Sequence, residues 1–247
     1  MVSKPSELSA SQYATRRKEL LTLLKQLRAT GSQAELDLPR ITVIGNQSAG
    51  KSSVVEAISG ITVPRDAGTC TRCPMECRLS STTGSWTCHI SIRREYDASG
   101  NIMEKVSEAP FGRVITDKKD VELALRRAQV AVLNPHLNPS DILRASTEQL
   151  TKPPFLSQQT LDFSRDTICI DLEGPELTDL SFIDLPGLIQ NAEPRTVKLV
   201  EDMVVSHIKG NCLILVALPM TDDIENQKAL RLARQEDPDG RRMVQFT

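Results

Sequence analysis

Eight residues, Gly45-Asn46-Gln47-Ser48-Ala49-Gly50-Lys51-Ser52, leave this chain little freedom of architecture. They fit G-x-x-x-x-G-K-S/T, and their surroundings fit as well. Arg40–Ile44 (Arg-Ile-Thr-Val-Ile) is a β-branched run of the kind that forms a buried strand, and Val54–Ile58 continues with helical spacing. A strand, a glycine-bearing loop and a helix in that order make a phosphate cradle. Gly45 and Gly50 let the backbone wrap an anion so that successive N–H groups point inward. The helix opening near Lys51 adds its positive end, the ammonium of Lys51 reaches β- and γ-phosphates, and the Ser52 hydroxyl is a Mg²⁺ ligand.

Downstream, Leu180–Gly187 (Leu-Ser-Phe-Ile-Asp-Leu-Pro-Gly) is an apolar strand ending in D-x-x-G. An aspartate at a strand's carboxyl end beside a phosphate loop supplies a second contact to Mg²⁺, which makes Asp184 the expected partner of Ser52. Gly187 allows a backbone N–H to approach the γ-phosphate where a Cβ would obstruct it. Between the two motifs, a threonine in Val63–Pro74 closes over the metal. Thr71 is preferred, and on physical grounds Thr69 is nearly as good. Further strands are expected at Asp166–Leu172 and at Asn211–Leu218, the most apolar run and expected near the centre of the sheet. Asp117–Leu133 reads as a helix, 134–159 as insertion or loop, and a helix is expected to open at Asp222 and to stop before Pro238. Strands alternating with helices give an α/β class with a mainly parallel sheet.

Residues 1–36 read as a leader built on one helix. Ser9 and Gln12 form a capping-box start, Tyr13, Leu20, Leu24 and Leu27 share an apolar face, and Thr30–Ser32 ends it. The formal charge of −2 argues against a nucleic-acid partner, which calls for a basic excess. Cys212–Leu218 is the longest apolar run, far short of the roughly 20 residues that span a bilayer. The polar N-terminus shows no signal peptide, so a cytoplasmic setting with reduced thiols is expected for the six cysteines. Cys70, Cys73, Cys77, Cys88 and His89 invite a zinc reading, but the spacing is poor, and small apolar thiols are the better account. Arg93-Arg94 and Arg126-Arg127 are expected on solvated faces, and His136 and His207 in structural or surface positions.

The three phosphate-side motifs, taken in order with Pro64-Arg65, Gly68 and Thr71-Arg72 between them, resemble the GTPase domain of the dynamin superfamily, including its myxovirus-resistance-like and fungal members. The resemblance runs from about residue 5 to residue 242. It implies an insertion-rich P-loop NTPase fold that binds and hydrolyses GTP with Mg²⁺, with the leader helix belonging to a bundle beside a stalk. It also implies roles. Gly45 to Ser53 (Asn46, Gln47, Ser48, Ala49 and Ser53 included) and Asp184 would contact nucleotide, while Ser52, Thr71 and Asp184 would serve the metal. Lys51, Thr71 and Gly187 would act in catalysis; Ser48, with backbone oxygens near Gly68, would bind a charge-compensating monovalent cation. Leu188 stands where small GTPases carry a water-positioning glutamine, so Gln47 is the expected organiser of the attacking water. Self-association through this domain, and membrane and cytoskeletal (microtubule) contacts through other regions, are implied by the family, with peripheral membrane association in the full-length protein. A guanine-reading T/N-K-x-D element does not occur between Asp184 and Thr247, and Met243–Phe246 departs from the family's usual strand. The domain, residues 37–247, is therefore expected to be cut before that element, which leaves a catalytically inactive, base-indifferent module as the rival expectation.

Overall fold

The computed structural model describes residues 12–29, 40–64, 71–96, 101–219 and 227–246. Within them, β1 (Arg40–Gly45), β2 (Met75–Ser81), β3 (Thr87–Tyr96), β4 (Ile102–Pro110), β5 (Thr167–Gly174), β6 (Leu180–Asp184), β7 (Cys212–Ala217) and β8 (Met243–Phe246) form one sheet. Its order is β4-β3-β5-β2-β6-β1-β7-β8. The half that carries the phosphate motifs is parallel: β1 pairs with β6 and β7, and β7 with β8. The sheet then extends through an antiparallel β2–β6 pair, a parallel β2–β5 pair and the antiparallel β5–β3–β4 meander.

Helices cover both faces. α1 (Gln12–Ala29), α2 (Lys51–Ser59), α3 (Val121–Leu133), α4 (Pro139–Arg144), α5 (Thr147–Leu150), α6 (Pro194–Ile208) and α7 (Lys228–Glu236) follow in chain order. Alternation along the strands decides what each helix meets. Met75, Cys77, Leu79, Ile90, Ile92, Ile168 and Ile170 face α3 and join Val55 of α2 in one core. Ile44, Ile183, Ile214 and Val216 point the other way, onto Val200, Val204 and Ile208 of α6 and Leu230 of α7. Cys73, Cys77, Cys88, Cys169 and Cys212 are buried free thiols, and burial pushes the Cys88 thiol up to about 12. Cys70 lies outside the described residues.

Several expectations need revision. The apolar strand β7 is next to the sheet edge, with β8 outside it, rather than central. Its composition reflects helices and core on both faces, not distance from an edge. Residues 134–159 hold two short capped helices: the Asn138 carboxamide accepts from the Ser140 N–H before α4, and Ser146 with Gln149 forms a capping box at α5. Met243–Phe246, whose sequence departs from the family's usual strand, forms β8, parallel to β7. α7 begins at Lys228 and ends at Glu236, ahead of Pro238, while Asp222 and Glu225 lie outside the described residues. Ser9 and residues 30–32 also lie outside them. In α1 the stripe is rotated. Leu20 is 60% exposed, while Arg17, Leu21 and Leu24 are half-buried toward the sheet. Two contacts set that rotation: Lys18 donates to the Ser81 carbonyl at 2.6 Å, and Arg17 lies 3.8 Å from Asp179.

Arg93 is not on a solvated face. It is 2% exposed, beside Glu76, Arg78 and Glu108, on the face that α1 adjoins. Glu76 and Arg78 alternate with the apolar residues of β2, and Arg93 sits opposite Glu108 in the β3–β4 register. Arg127 is half-buried and gives its guanidinium to the Ala145 carbonyl, holding α3 to the end of α4.

Candidate functional site

β1 ends at Gly45 and the chain turns at once. Ser48 (φ 62°) and Gly50 (φ 88°) both take left-handed conformations, and Gly50 is the N-cap of α2. A non-glycine residue at positive φ is uncommon, and such positions gather at ligand-binding loops. Gln47 and Ser48 are exposed on the loop, Ala49 is buried beneath it, and Ser52 sits half-buried in the first turn of α2 with Ser53 exposed beside it. Lys51 is 7% exposed; its ammonium donates to the Asn46 carbonyl at 2.9 Å and to the Gly45 carbonyl at 3.2 Å. The charge is thereby held at the base of the loop.

The D-x-x-G segment zips onto this loop. Leu188 N–H donates to the Gly45 carbonyl and Gln47 N–H to the Leu188 carbonyl, both at 3.1 Å. Gly187 lies in the pinch: a Cβ there would come within 2.9 Å of the Gln47 Cα and 3.0 Å of the Lys51 Nζ. Gly187→Ala is therefore expected to push the two motifs apart and to weaken nucleotide triphosphate binding by about ten- to a hundredfold, as read by calorimetric titration. Wild-type affinity in that variant would show that the close approach is dispensable.

Asp184 ends β6 and is fully buried. Its Oδ2 accepts the Thr71 hydroxyl at 3.3 Å, whereas its Oδ1 has no hydrogen-bond partner among the described residues. Burial raises its pKa to about 6, against the opposing pull of Lys51, Thr71 and the Leu185 N–H. Thr71 lies beside Asp184; Thr69, the other threonine considered, and Gly68 lie outside the described residues. The oxygens gathered here, an orphaned carboxylate oxygen and a threonine hydroxyl, with the Ser52 hydroxyl at the head of α2, suit Mg²⁺. That ion takes one or two carboxylates plus substrate phosphates rather than an all-protein cage.

The side chain of Asn46 has partners outside the loop. It meets Gln227 and the Ala229 N–H at the start of α7, so its carboxamide is engaged away from the phosphate cradle. Gln227 was not legible as a site neighbour, because 181 residues separate it from Asn46 and no motif links them.

Residues 41–246 match the Dynamin family profile, most of the chain. Among curated relatives, Interferon-induced GTP-binding protein Mx1 of Otaria byronia is 30% identical over 98% of this chain and 32% of its own length. Interferon-induced GTP-binding protein Mx2 of Bos taurus is 31% identical over 94% of this chain and 28% of its own length. The chain thus spans less than a third of the length of these relatives. With the family profile matched across both motifs and the two motifs hydrogen-bonded to each other in the fold, this chain belongs to the dynamin family.

Proposed function

We propose that the chain binds GTP with Mg²⁺ and hydrolyses its γ-phosphate, as the GTPase domain of a dynamin-like membrane-remodelling protein. One observation carries this reading: Gly187 lies against Gln47 and Lys51 of the loop Gly45–Ser52, Asp184 feels the charge of Lys51, and Thr71, from a third segment, is bonded to Asp184. The left-handed turn offers backbone N–H groups to the β-phosphate, and Lys51 swings from the Gly45 and Asn46 carbonyls to the β- and γ-phosphate oxygens. Ser52, Thr71 and Asp184 would hold Mg²⁺, which when bound offsets charge building on the phosphate oxygens. Gly187 presents its N–H to the γ-phosphate, and Gln47, exposed on the loop, orients the attacking water. Ser48 would hold a monovalent cation in the same region. The proposal extends to self-association through this domain, and to membrane and cytoskeletal partners and a peripheral, cytoplasmic location for the longer protein.

The test is Mg²⁺-dependent release of phosphate from GTP. Lys51→Ala is expected to lower it by about a hundredfold, the scale of losing one preorganised charge-stabilising donor; an undiminished rate would overturn the reading. Titrating GTP against ATP tests the base preference: clear GTP preference supports the reading, and equal, weak affinities would favour binding without turnover or base preference instead.

A further inference from the structure

We infer that Asn46 is a positioning residue whose carboxamide locks the phosphate loop to the N-terminus of α7, and that this lock, rather than a contact with nucleotide, is its contribution to phosphate binding. The inference rests on the reading of Gly45–Ser52 as a nucleotide site. Asn46 Nδ2 donates to Gln227 Oε1 at 2.7 Å, and Asn46 Oδ1 accepts the Ala229 N–H at 3.2 Å. The orientation of the amide follows from chemistry, since a backbone N–H only donates and must face the oxygen.

Both partners belong to a fixed post. Gln227 is 3% exposed and precedes the first residue of α7, yet its own side chain does not cap the helix. The first turn of a helix leaves N–H groups without intrahelical partners, and Asn46 supplies the acceptor from across the fold. α7 itself is anchored by Ala229, Leu230 and Ala233 in the core and by the Lys228–Glu201 ion pair to α6. At its other end, Asn46 is the residue whose carbonyl receives the Lys51 ammonium and which bridges to Leu188 of the D-x-x-G segment. One side chain thus ties the lysine, the loop and the D-x-x-G segment to a rigid helix. Without it, the first peptide of the loop keeps the bridge to Leu188, the Ala49 N–H on the Asn46 carbonyl within the loop itself, and the lysine that must move to meet phosphate.

The two possible jobs of this amide predict opposite behaviour for one substitution. Asn46→Asp keeps an acceptor for the Ala229 N–H, and Gln227 restores the second bond by turning its amide to donate. If instead the Asn46 amide touched the phosphates, the same change would set a carboxylate against them. The experiment measures binding of a fluorescent GTP analogue with Mg²⁺ to the 247-residue chain, well below its thermal midpoint, with the midpoint recorded for each variant. Asn46→Ala is expected to weaken binding about tenfold, and Asn46→Asp to stay within about threefold of the original. Adding Gln227→Ala to Asn46→Ala should cost little more, because the bond it removes is already gone. Should Asn46→Ala fail to fold, Gln227→Ala alone reads the same lock through a smaller loss of affinity. Asn46→Asp as the weakest binder, or variants that lower the midpoint without changing affinity, would overturn the inference while leaving the proposed function standing. No binding by the unmodified chain would overturn both.

Discussion

Glu76→Ala is expected to destabilise the fold by about 3–5 kcal/mol, enough to leave much of the chain unfolded, as measured by the urea midpoint of the circular-dichroism signal. Glu76 is fully buried in β2 and bonds two guanidiniums at once. Its Oε1 accepts Arg78 Nε at 3.1 Å, and its Oε2 accepts Arg93 Nη1 at 2.6 Å and Arg78 Nη2 at 3.3 Å. Burial works against the charge on both arginines, and the carboxylates of Glu108, Glu76 and Glu95 more than offset it, so both guanidiniums are held well above their ordinary value. Removing Glu76 leaves Arg78 to Glu108 and Asp171, and Arg93 to Glu95 at 2.6 Å, with a cavity and buried guanidinium N–H donors left without their acceptor between them. The severity comes from breaking a buried network, not from any large net worth of the network itself. Replacing Glu76, Arg78, Arg93 and Glu108 together by apolar residues of matched volume should accordingly cost far less than the single change. A loss below about 1 kcal/mol for Glu76→Ala would mean that water or a shifted Glu108 neutralises the arginines, and would remove the case for this cluster.

That cluster also marks where sequence reasoning stopped. The phosphate loop, β6 with Asp184, β7 and α3 were readable because each is decided locally, by a motif or by an unbroken period. β2 was missed because Met75-Glu76-Cys77-Arg78-Leu79 alternates apolar residues with full charges. Such alternation ordinarily puts the charges in water, and only pairing with β5 and β6, which brings Arg93 of β3 and Glu108 of β4 beside them, turns Glu76 and Arg78 into interior groups. Arg93 was misplaced for the same reason: a double arginine looks solvated until its strand is known to face a carboxylate. The turn of α1 relative to its expected stripe was set by Asp179 and the Ser81 carbonyl, two partners far along the chain. In the site, residue types were legible and directions were not. Thr71 lies beside Asp184 and Gly187 against Gln47, as their motifs suggest, while Asn46 looks like any other member of the loop until Gln227 and Ala229 are brought beside it.

Asp184→Asn is expected to lower Mg²⁺-dependent GTP hydrolysis by about a thousandfold and, with EDTA and no nucleotide, to make the fold more stable than the original. The two effects have one source. Asp184 has its pKa raised by burial from 3.8 to about 6, so above pH 6 the folded chain holds in its interior a charge that the unfolded chain keeps in water. At 1.36 kcal/mol for each tenfold step in proton affinity, that charge costs about 3 kcal/mol at pH 7.5. Between about pH 4 and pH 6 the folded state binds the extra proton, so this contribution to stability falls as pH rises through that window and is constant above it. The asparagine variant keeps an oxygen to accept the Thr71 hydroxyl and carries no charge to bury. The gap in unfolding free energy between the two chains should therefore be largest above pH 7, shrink as pH falls through 6, and close near pH 4. An asparagine variant less stable than the original at pH 8 in EDTA would show that the Lys51 attraction outweighs desolvation, and the site would then need another account. A buried carboxylate with one oxygen unpartnered among the described residues is an expense those residues have no structural use for, since the isosteric amide fills the same space at lower cost. It makes sense where the charge is wanted at intervals, by a hard cation that arrives with phosphate and leaves with it.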